Sequence, residues 1–460
     1  MRQNPDEVSA ETDPARGATL EALFDAGTFV ALDGAQPGAR VGWGAVAGRR
    51  VFAYAHAGAA LTRAESSRIA RALALAAQTG SPVVGLLDAT GARVDEGLAG
   101  LGAYAEVLRE LARAQTLQIA VVAGPCVGLA ALAPPLADVV LMVEGAGRAM
   151  LNAAAAAEAV TGVRCTDDEL GGADVHAART GLAHLTAPSA AACIESARGL
   201  LALLPAHRGA RAVREATGDS VAREAPSLDA IVARARGRYD VRDVIAAVVD
   251  GGGFVELHVR YAPNVVCALA RLEGRLVGVV ASQPAVLAGC LDAEACTKAS
   301  RFVALCDRLG VALLTLVDTP GFLPGDDQEH GGIAARAAGL LRAYATATVP
   351  RVTVVLRRAY GGAYAALASR MAGADVCLAW PLCEVAVTSA DGAVSALYAD
   401  EIARAEDPAA ERAARLDAWR RAHLDPQRAV EAGHVDAVIA PRATRRHLCE
   451  AFARFDRDQS

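Results

Sequence analysis

Two stretches of this sequence carry residue types at a spacing that could do chemistry without any catalytic side chain. One is "VDTPGFLPGDDQEHGG", residues 317–332; the other, forty residues on, is "RRAYGGAYAALASR", residues 357–370. A Gly-Gly-Ala opening a helix exposes backbone N–H groups that have no intrahelical partner. Two such groups aimed at one point form an oxyanion hole. Glycine lets the backbone approach closely and take unusual angles, and the positive end of the helix dipole adds to the effect. Gly361, Gly362 and Ala363 are the candidates here. Gly128 and Leu129, in "LQIAVVAGPCVGLAAL" (117–132), stand at a similar place earlier in the chain. The Asp-Thr-Pro-Gly could alternatively be an ordinary turn or part of a nucleotide switch. The switch needs a GxxxxGK[ST] phosphate loop, and the chain has none.

No other constellation competes. The ten cysteines include no CxxC pair, and no Cys/His cluster has zinc spacing, so no metal is expected. Cysteines scattered through apolar runs read as small buried hydrophobes in a reducing, cytoplasmic setting. The formal charge of −6 gives no basic footprint for nucleic acid. The N-terminus "MRQNPDEVSAETDPARG" is polar and acidic rather than a signal peptide. No apolar run has the length and flanks of a membrane span.

The elements that must position these turns come in two sets. "PVVGLLDATGA" (82–92) reads as a buried strand entering a turn, "EGLAGLGAYAEVLRELARAQT" (96–116) as a helix, and "ADVVLMVEGA" (137–146) as a further strand. The second half repeats the order with "VALLTLVDTPGFLPG" (311–325), "GGIAARAAGLLRAYATAT" (331–348), "VPRVTVVLRRAYGGAYAAL" (349–367) and "GADVCLAWP" (373–381). Forty residues separate Asp88 from Gly128, and forty-three separate Asp318 from Gly361. Asp138 pairs with Asp375, and "TLEALFDAGTFVALD" (19–33) is echoed by "DVRDVIAAVVDGGGFVELH" (240–258). The chain is a tandem duplication of one α/β lobe, with buried parallel strands covered by helices. The boundary falls near 210–240, giving lobes of residues 1–215 and 225–460. With 53% hydrophobic but only 4% aromatic residues, both cores must be built from Ala, Val and Leu.

The segments 283–333 and 347–387 resemble the second lobe of the biotin-dependent acyl-CoA carboxyltransferases, of the propionyl-CoA or acetyl-CoA carboxylase β-subunit type. "DATGARVDEG", "AGPCVGLAALAPPLAD" and "VTGVRCTDDELGGADVHAARTGLAHL" match the first lobe more loosely, and "AGHVDAVIAPRATRRHL" (432–448) is similar to the C-terminal stretch. The resemblance implies two tandem crotonase-like β-β-α lobes of the ClpP/crotonase superfamily. The first would bind a coenzyme A thioester and the second would bind biotin carried on a separate protein. It implies biotin carboxylase and biotin carboxyl carrier partners, and a homo-oligomer, usually a ring-shaped hexamer. Its active site would lie between the first lobe of one subunit and the second lobe of another.

Carried over residue by residue, Gly362 and Ala363, beside Gly361, would hold the biotin ureido oxygen. Gly128 and Leu129 would hold the thioester oxygen. Tyr360, Gly321, Phe322, Gly91, Ala92 and Arg93 would border the bound groups. The first lobe departs from the family pattern. Leu129 stands where a second glycine is usual, which adds bulk and disfavours positive φ. Thr90-Gly91-Ala92-Arg93 replaces a Gly-Gly-Ala-Arg turn, and "HAGAALTRAESS" (56–67) replaces a Gly-rich loop. The alanines at 153–157 replace a Thr-Gly-Pro. These changes point either to an unusual acceptor or to drift with activity kept. Running the reaction as a decarboxylase, or serving as a non-catalytic assembly subunit, are the alternatives. Arg93 and Arg164 are candidate phosphate or carboxylate contacts, with a surface ion pair the alternative for Arg164. His176 and His184 read as structural, and Asp88 and Asp318 as fixing their turns by hydrogen bonds to the backbone.

Overall fold

The computed structural model of the chain describes residues 20–32, 38–56, 58–210, 214–233 and 237–456. It divides into two compact units, Met1–Ala210 and Arg211–Ser460. The first holds one eight-stranded sheet. Its strands are β1 (Val30–Ala31), β2 (Arg40–Val46), β3 (Arg49–Ala55), β4 (Val83–Ala89), β5 (Gln118–Val127), β6 (Val139–Val143), β7 (Arg148–Met150) and β8 (Leu185–Ala187). The second holds β9 (Phe254–Leu257), β10 (Val265–Leu272), β11 (Arg275–Ser282), β12 (Ala312–Thr319), β13 (Arg351–Tyr360), β14 (Val376–Ala379), β15 (Glu384–Ala386) and β16 (Ala437–Val438).

The two sheets have one topology. The first runs β1-β2-β3-β4-β5-β6-β8, the second β9-β10-β11-β12-β13-β14-β16 in the same order. In each, the entry hairpins are antiparallel and the later pairs parallel. The short strands β7 and β15 sit off this path, paired with the last residues of β5 and β13. Even an irregularity recurs: β4 slips against β5 between Leu87 and Ala89, and β12 against β13 between Val317 and Thr319. The duplication read from the sequence is therefore present strand for strand.

The physical cause is the continuous apolar character of the inner strands. Every residue of β12 is buried, as are six of the seven in β4, because helices cover parallel sheets on both faces. The bounding helices are set by their caps. Thr62 and Glu65 form a reciprocal capping box at the start of helix Arg63–Gln78. Asp292 caps Ala293–Leu309, which ends on left-handed Gly310.

Matched carboxylates tether the long strands. Asp138 accepts from Gln118 N at 2.7 Å, and Asp375 accepts from Arg351 N at 2.8 Å. Small side chains let these layers close up. Eight of the ten cysteines are buried and all are free. A Cβ added to Gly278 would lie 2.4 Å from Cys306 Sγ. The entry segments match less fully: helix Val241–Val248 precedes β9, but only a single turn, Leu20–Leu23, precedes β1. Thr19 and Asp33 of that echo lie outside the described residues. Among the described residues no helix is long and apolar enough to cross a membrane, and no group of three or more His, Cys, Asp or Glu side chains could hold a metal ion.

Candidate functional site

Strand β13 ends at Tyr360 and helix Gly361–Ala366 begins at once. Gly361 has φ +55°, and a Cβ there would lie 2.9 Å from Val387 O, so both backbone angle and space exclude a side chain. Gly362 is exposed and Ala363 is buried. Their N–H groups lie in the first helical turn, and no hydrogen bond from either is seen among the described residues. Facing them is the Asp318–Phe322 turn. A Cβ on Gly362 would lie 3.1 Å from Phe322 Cε2. That turn is held by a short parallel bridge in which Leu291 N donates to Gly321 O (3.1 Å) and Leu323 N to Leu291 O (2.8 Å). Gly361 and Gly362 border a cavity of about 810 Å³ whose walls include Val385, Val387, His423 and His434.

The first unit repeats this construction. Strand β5 ends at Val127, and the turn Gly128–Leu132 follows as a 3₁₀-helix. Gly128 has φ +64°. Leu61 N donates to Gly91 O at 2.7 Å and Arg93 N to Leu61 O at 3.0 Å, the counterpart of the Leu291 bridge. Gly91, at φ +93°, looks onto the turn: a Cβ there would lie 3.3 Å from Leu129 Cβ, 3.7 Å from Leu129 N and 3.6 Å from Ala130 N. The left-handed angle falls on Gly128, not on Leu129, which takes none. The expected conflict between Leu129 and positive φ is therefore absent, and its half-buried side chain packs on the core.

What separates the two turns is the strand end beneath them. Asp318 is fully buried. Its carboxylate binds Arg357 Nε (2.7 Å) and Arg358 Nε (2.9 Å) and accepts from Tyr239 OH (3.0 Å). Arg357 also lies over the Tyr239 ring at 4.7 Å. The expectation that Asp318 serves mainly the backbone is corrected: it accepts from Arg358 N at 3.3 Å, but its chief partners are two guanidinium groups. In the first unit the matching dipeptide is Gly124-Pro125. Asp88 occupies the space that Gly124 leaves, so a Cβ on Gly124 would fall 2.3 Å from Asp88 Cγ.

A carboxyl transferase domain model matches residues 22–458. The chain belongs to the carboxyl transferase family. It is 40% identical to the propionyl-CoA carboxylase beta chain of Saccharopolyspora erythraea, over 94% of this chain and 86% of that one. It is 37% identical to the methylmalonyl-CoA decarboxylase subunit alpha of Propionigenium modestum, over 94% and 88%. The crystal structure of a transcarboxylase 12S hexameric core, with methylmalonyl-coenzyme A bound, superposes with a TM-score of 0.91 at 37% identity, over 96% of this chain and 89% of that one. This likeness over nearly the whole chain agrees with the two crotonase-like lobes expected from the sequence.

The remaining candidates fall on both sides of the family expectation. Ala92 lies in the bridge to Leu61 beside Gly91. Arg93 is exposed and paired with Asp95 (2.9 and 2.6 Å), and Arg164 is paired with Glu158 at 2.7 Å. Tyr360 is buried and donates to Glu384. Burial, then that carboxylate, holds its hydroxyl well above the usual range. It lines a different cavity from Gly361 and Gly362. His176 bonds Thr180 Oγ1 and Ala149 O, each at 2.8 Å, and burial lowers its pKa. His184 Nδ1 accepts from Val140 N at 3.1 Å. Both are held by structural bonds. Sequence reasoning missed the wall that helices Pro408–His423 and Pro426–Glu431 give the Gly361 cavity. Their mix of alanines and charged residues carries no motif. It also missed the Arg357–Asp318–Arg358 cluster, for which two adjacent arginines inside an apolar strand were the available signal.

Proposed function

We propose that this chain is the carboxyltransferase subunit of a biotin-dependent acyl-CoA carboxylase. It would move a carboxyl group between a biotin-bearing carrier protein and an acyl-CoA or related thioester. The observation that carries this reading is the pair of matched turns, each a strand end running into a helix with a left-handed glycine. In the second unit no hydrogen bond from the amide of Gly362 or Ala363 is seen among the described residues, and Gly362 borders the cavity of about 810 Å³.

That cavity fits biotin on this structure's own terms. Its walls combine small and branched apolar residues and the Gly361–Gly362 backbone with the polar side chains of His423, Arg428, Glu431 and His434. Biotin, when bound, supplies the carboxyl group in transferable form. The chain's part is electrostatic. Gly362 N–H and Ala363 N–H would hold the ureido oxygen as negative charge grows on it. In the first unit, Gly128 and Leu129 would hold the thioester oxygen of the acyl group. An N–H donor already in place costs no reorganisation when charge develops, and losing one costs about 10²–10³ in rate. Gly321 and Phe322 would close one side of the biotin site, and Gly91 would keep the acyl site open before Leu129. Buried Tyr360 acts there only through its place at the strand end. We assign the biotin carboxylase and carrier to separate chains, the assembly to a homo-oligomer like the hexameric 12S core, and the setting to the cytoplasm.

The experiment gives the purified protein free biotin with malonyl-CoA or methylmalonyl-CoA labelled at the carboxyl carbon. Label should leave the thioester, and Gly362→Pro, which deletes one amide, should stop the loss. Label loss that persists unchanged in a folded Gly362→Pro protein would overturn the assignment of this turn. The decarboxylating direction is favoured by relatives such as the Propionigenium modestum subunit. It is read in the same assay by supplying carboxylated thioester and following net product.

A further inference from the structure

Beside the Gly361 cavity, and sharing no lining residue with it, the second unit holds another of about 760 Å³. The two lie on either side of the β15 segment: Glu384 faces one, and Val385 to Val387 border the other. The wall of the second is charged. Four arginines, Arg238, Arg357, Arg358 and Arg420, outnumber two carboxylates, Glu384 and Asp391. Asp391 is already paired with Arg412 at 3.2 Å, and Glu384 accepts from Tyr360.

The arginines are of two kinds. Arg357 and Arg358 are fixed. They share one buried carboxylate, Asp318, and are further bonded to Gly237 O (2.8 Å) and Ala288 O (2.9 Å). One negative charge between two guanidinium groups leaves that end of the cavity positive. Arg238 and Arg420 are loose. No side-chain bond of Arg238 is seen among the described residues, and Arg420 reaches Asp417 only at 3.5 Å. Guanidinium groups present forked donors that match carboxylate and phosphate oxygens, and the volume suits a small molecule.

We propose that this cavity is a binding site for a small organic anion bearing carboxylate or phosphate groups. The fixed pair sets the field and the loose pair closes on the ligand. The inference rests on this cluster alone, so it stands or falls separately from the function proposed for the Gly361 turn.

The full chain is titrated calorimetrically at low ionic strength with malonate and, separately, with inorganic pyrophosphate. At least one probe should bind, and the tighter of the two identifies the oxyanion class. Arg238→Ala/Arg420→Ala should weaken it about tenfold or more. Arg71→Ala/Arg113→Ala, an equal loss of charge on exposed residues of the first unit, should leave it unchanged. Thermal melting checks that both variants are folded. The proposal is overturned if neither anion binds the unsubstituted protein, if the Arg238/Arg420 variant binds as tightly, or if both variants lose affinity equally.

Discussion

The two lobes solve the same problem with the same backbone and different side chains. Each ends its longest strand in a left-handed glycine, Gly128 or Gly361, and each places an acid, Asp88 or Asp318, at the end of the neighbouring strand. In the second lobe the acid is locked by Arg357 and Arg358; in the first it fills the gap left by Gly124. The difference teaches that turn geometry is carried by backbone requirements alone. The residues behind the turn are then free to be charged in one lobe and small in the other.

Breaking Asp318 should show the asymmetry most strongly. Asp318→Ala leaves the buried Arg357 and the partly exposed Arg358 without their carboxylate, which should cost about 3–5 kcal/mol, read as a shift in denaturant midpoint. Asp88→Ala should cost clearly less, because no arginine occupies the position of Arg357. Equal costs would mean that the Asp318 cluster contributes nothing special.

Proline scanning of the two turns compares their chemistry. Gly362→Pro and Leu129→Pro each remove one amide at the matched place, and each should lower label transfer by about 10²–10³ in folded protein. A Leu129→Pro variant of unchanged rate would show that the Leu129 amide does not hold the thioester oxygen.

Acid should separate the lobes next. His56, just after β3, accepts from Asp88 N at 3.4 Å, and its Nε2 is buried without a partner. Burial holds its pKa down to about 4. The folded chain thus refuses a proton that the unfolded chain accepts. Stability is intact above the ordinary histidine range and declines as pH falls from about 6.5 towards 4, by about 3 kcal/mol at most. Ser282 stands at the matched place in the second lobe and does not titrate. His56→Gln should flatten this part of the stability–pH curve; an unchanged curve would show that the ring is not shielded.

Smaller effects test the glycines. Gly91→Ala forces a side chain to φ +93° and against Leu129, costing about 1–2 kcal/mol in a thermal melt. Gly321→Ala meets open space and pays only for its angle. Arg164→Ala, in a pair with a largely exposed guanidinium, should leave the melt where it was.

Much of the architecture was legible because it rests on local rules. Apolar runs alternating with helical periods marked β4, β5, β12 and β13, and the spacing of Asp88, Gly128, Asp318 and Gly361 marked the repeat. The candidate turns were legible for the same reason: a glycine closing an apolar strand marks a backbone angle or a close approach that a side chain would forbid. The walls of the cavities were not. His423 ends the helix Pro408–His423 and His434 follows the helix Pro426–Glu431, both more than fifty residues beyond Gly361, and nothing in their own pattern points at the turn. Tyr360 shows the limit from the other side, since it is adjacent in sequence to Gly361 yet its ring lines a different cavity.

By itself, then, the sequence determined the duplication, the succession of strands and helices along each lobe, and the two glycine turns. Each of these depends on residue type and short-range spacing. Only the tertiary structure decided that Leu129 escapes a left-handed angle, that Asp318 serves two arginines, and which distant helices enclose the Gly361 turn. Those outcomes depend on which side chains long-range packing brings within hydrogen-bonding distance, and no local pattern encodes that.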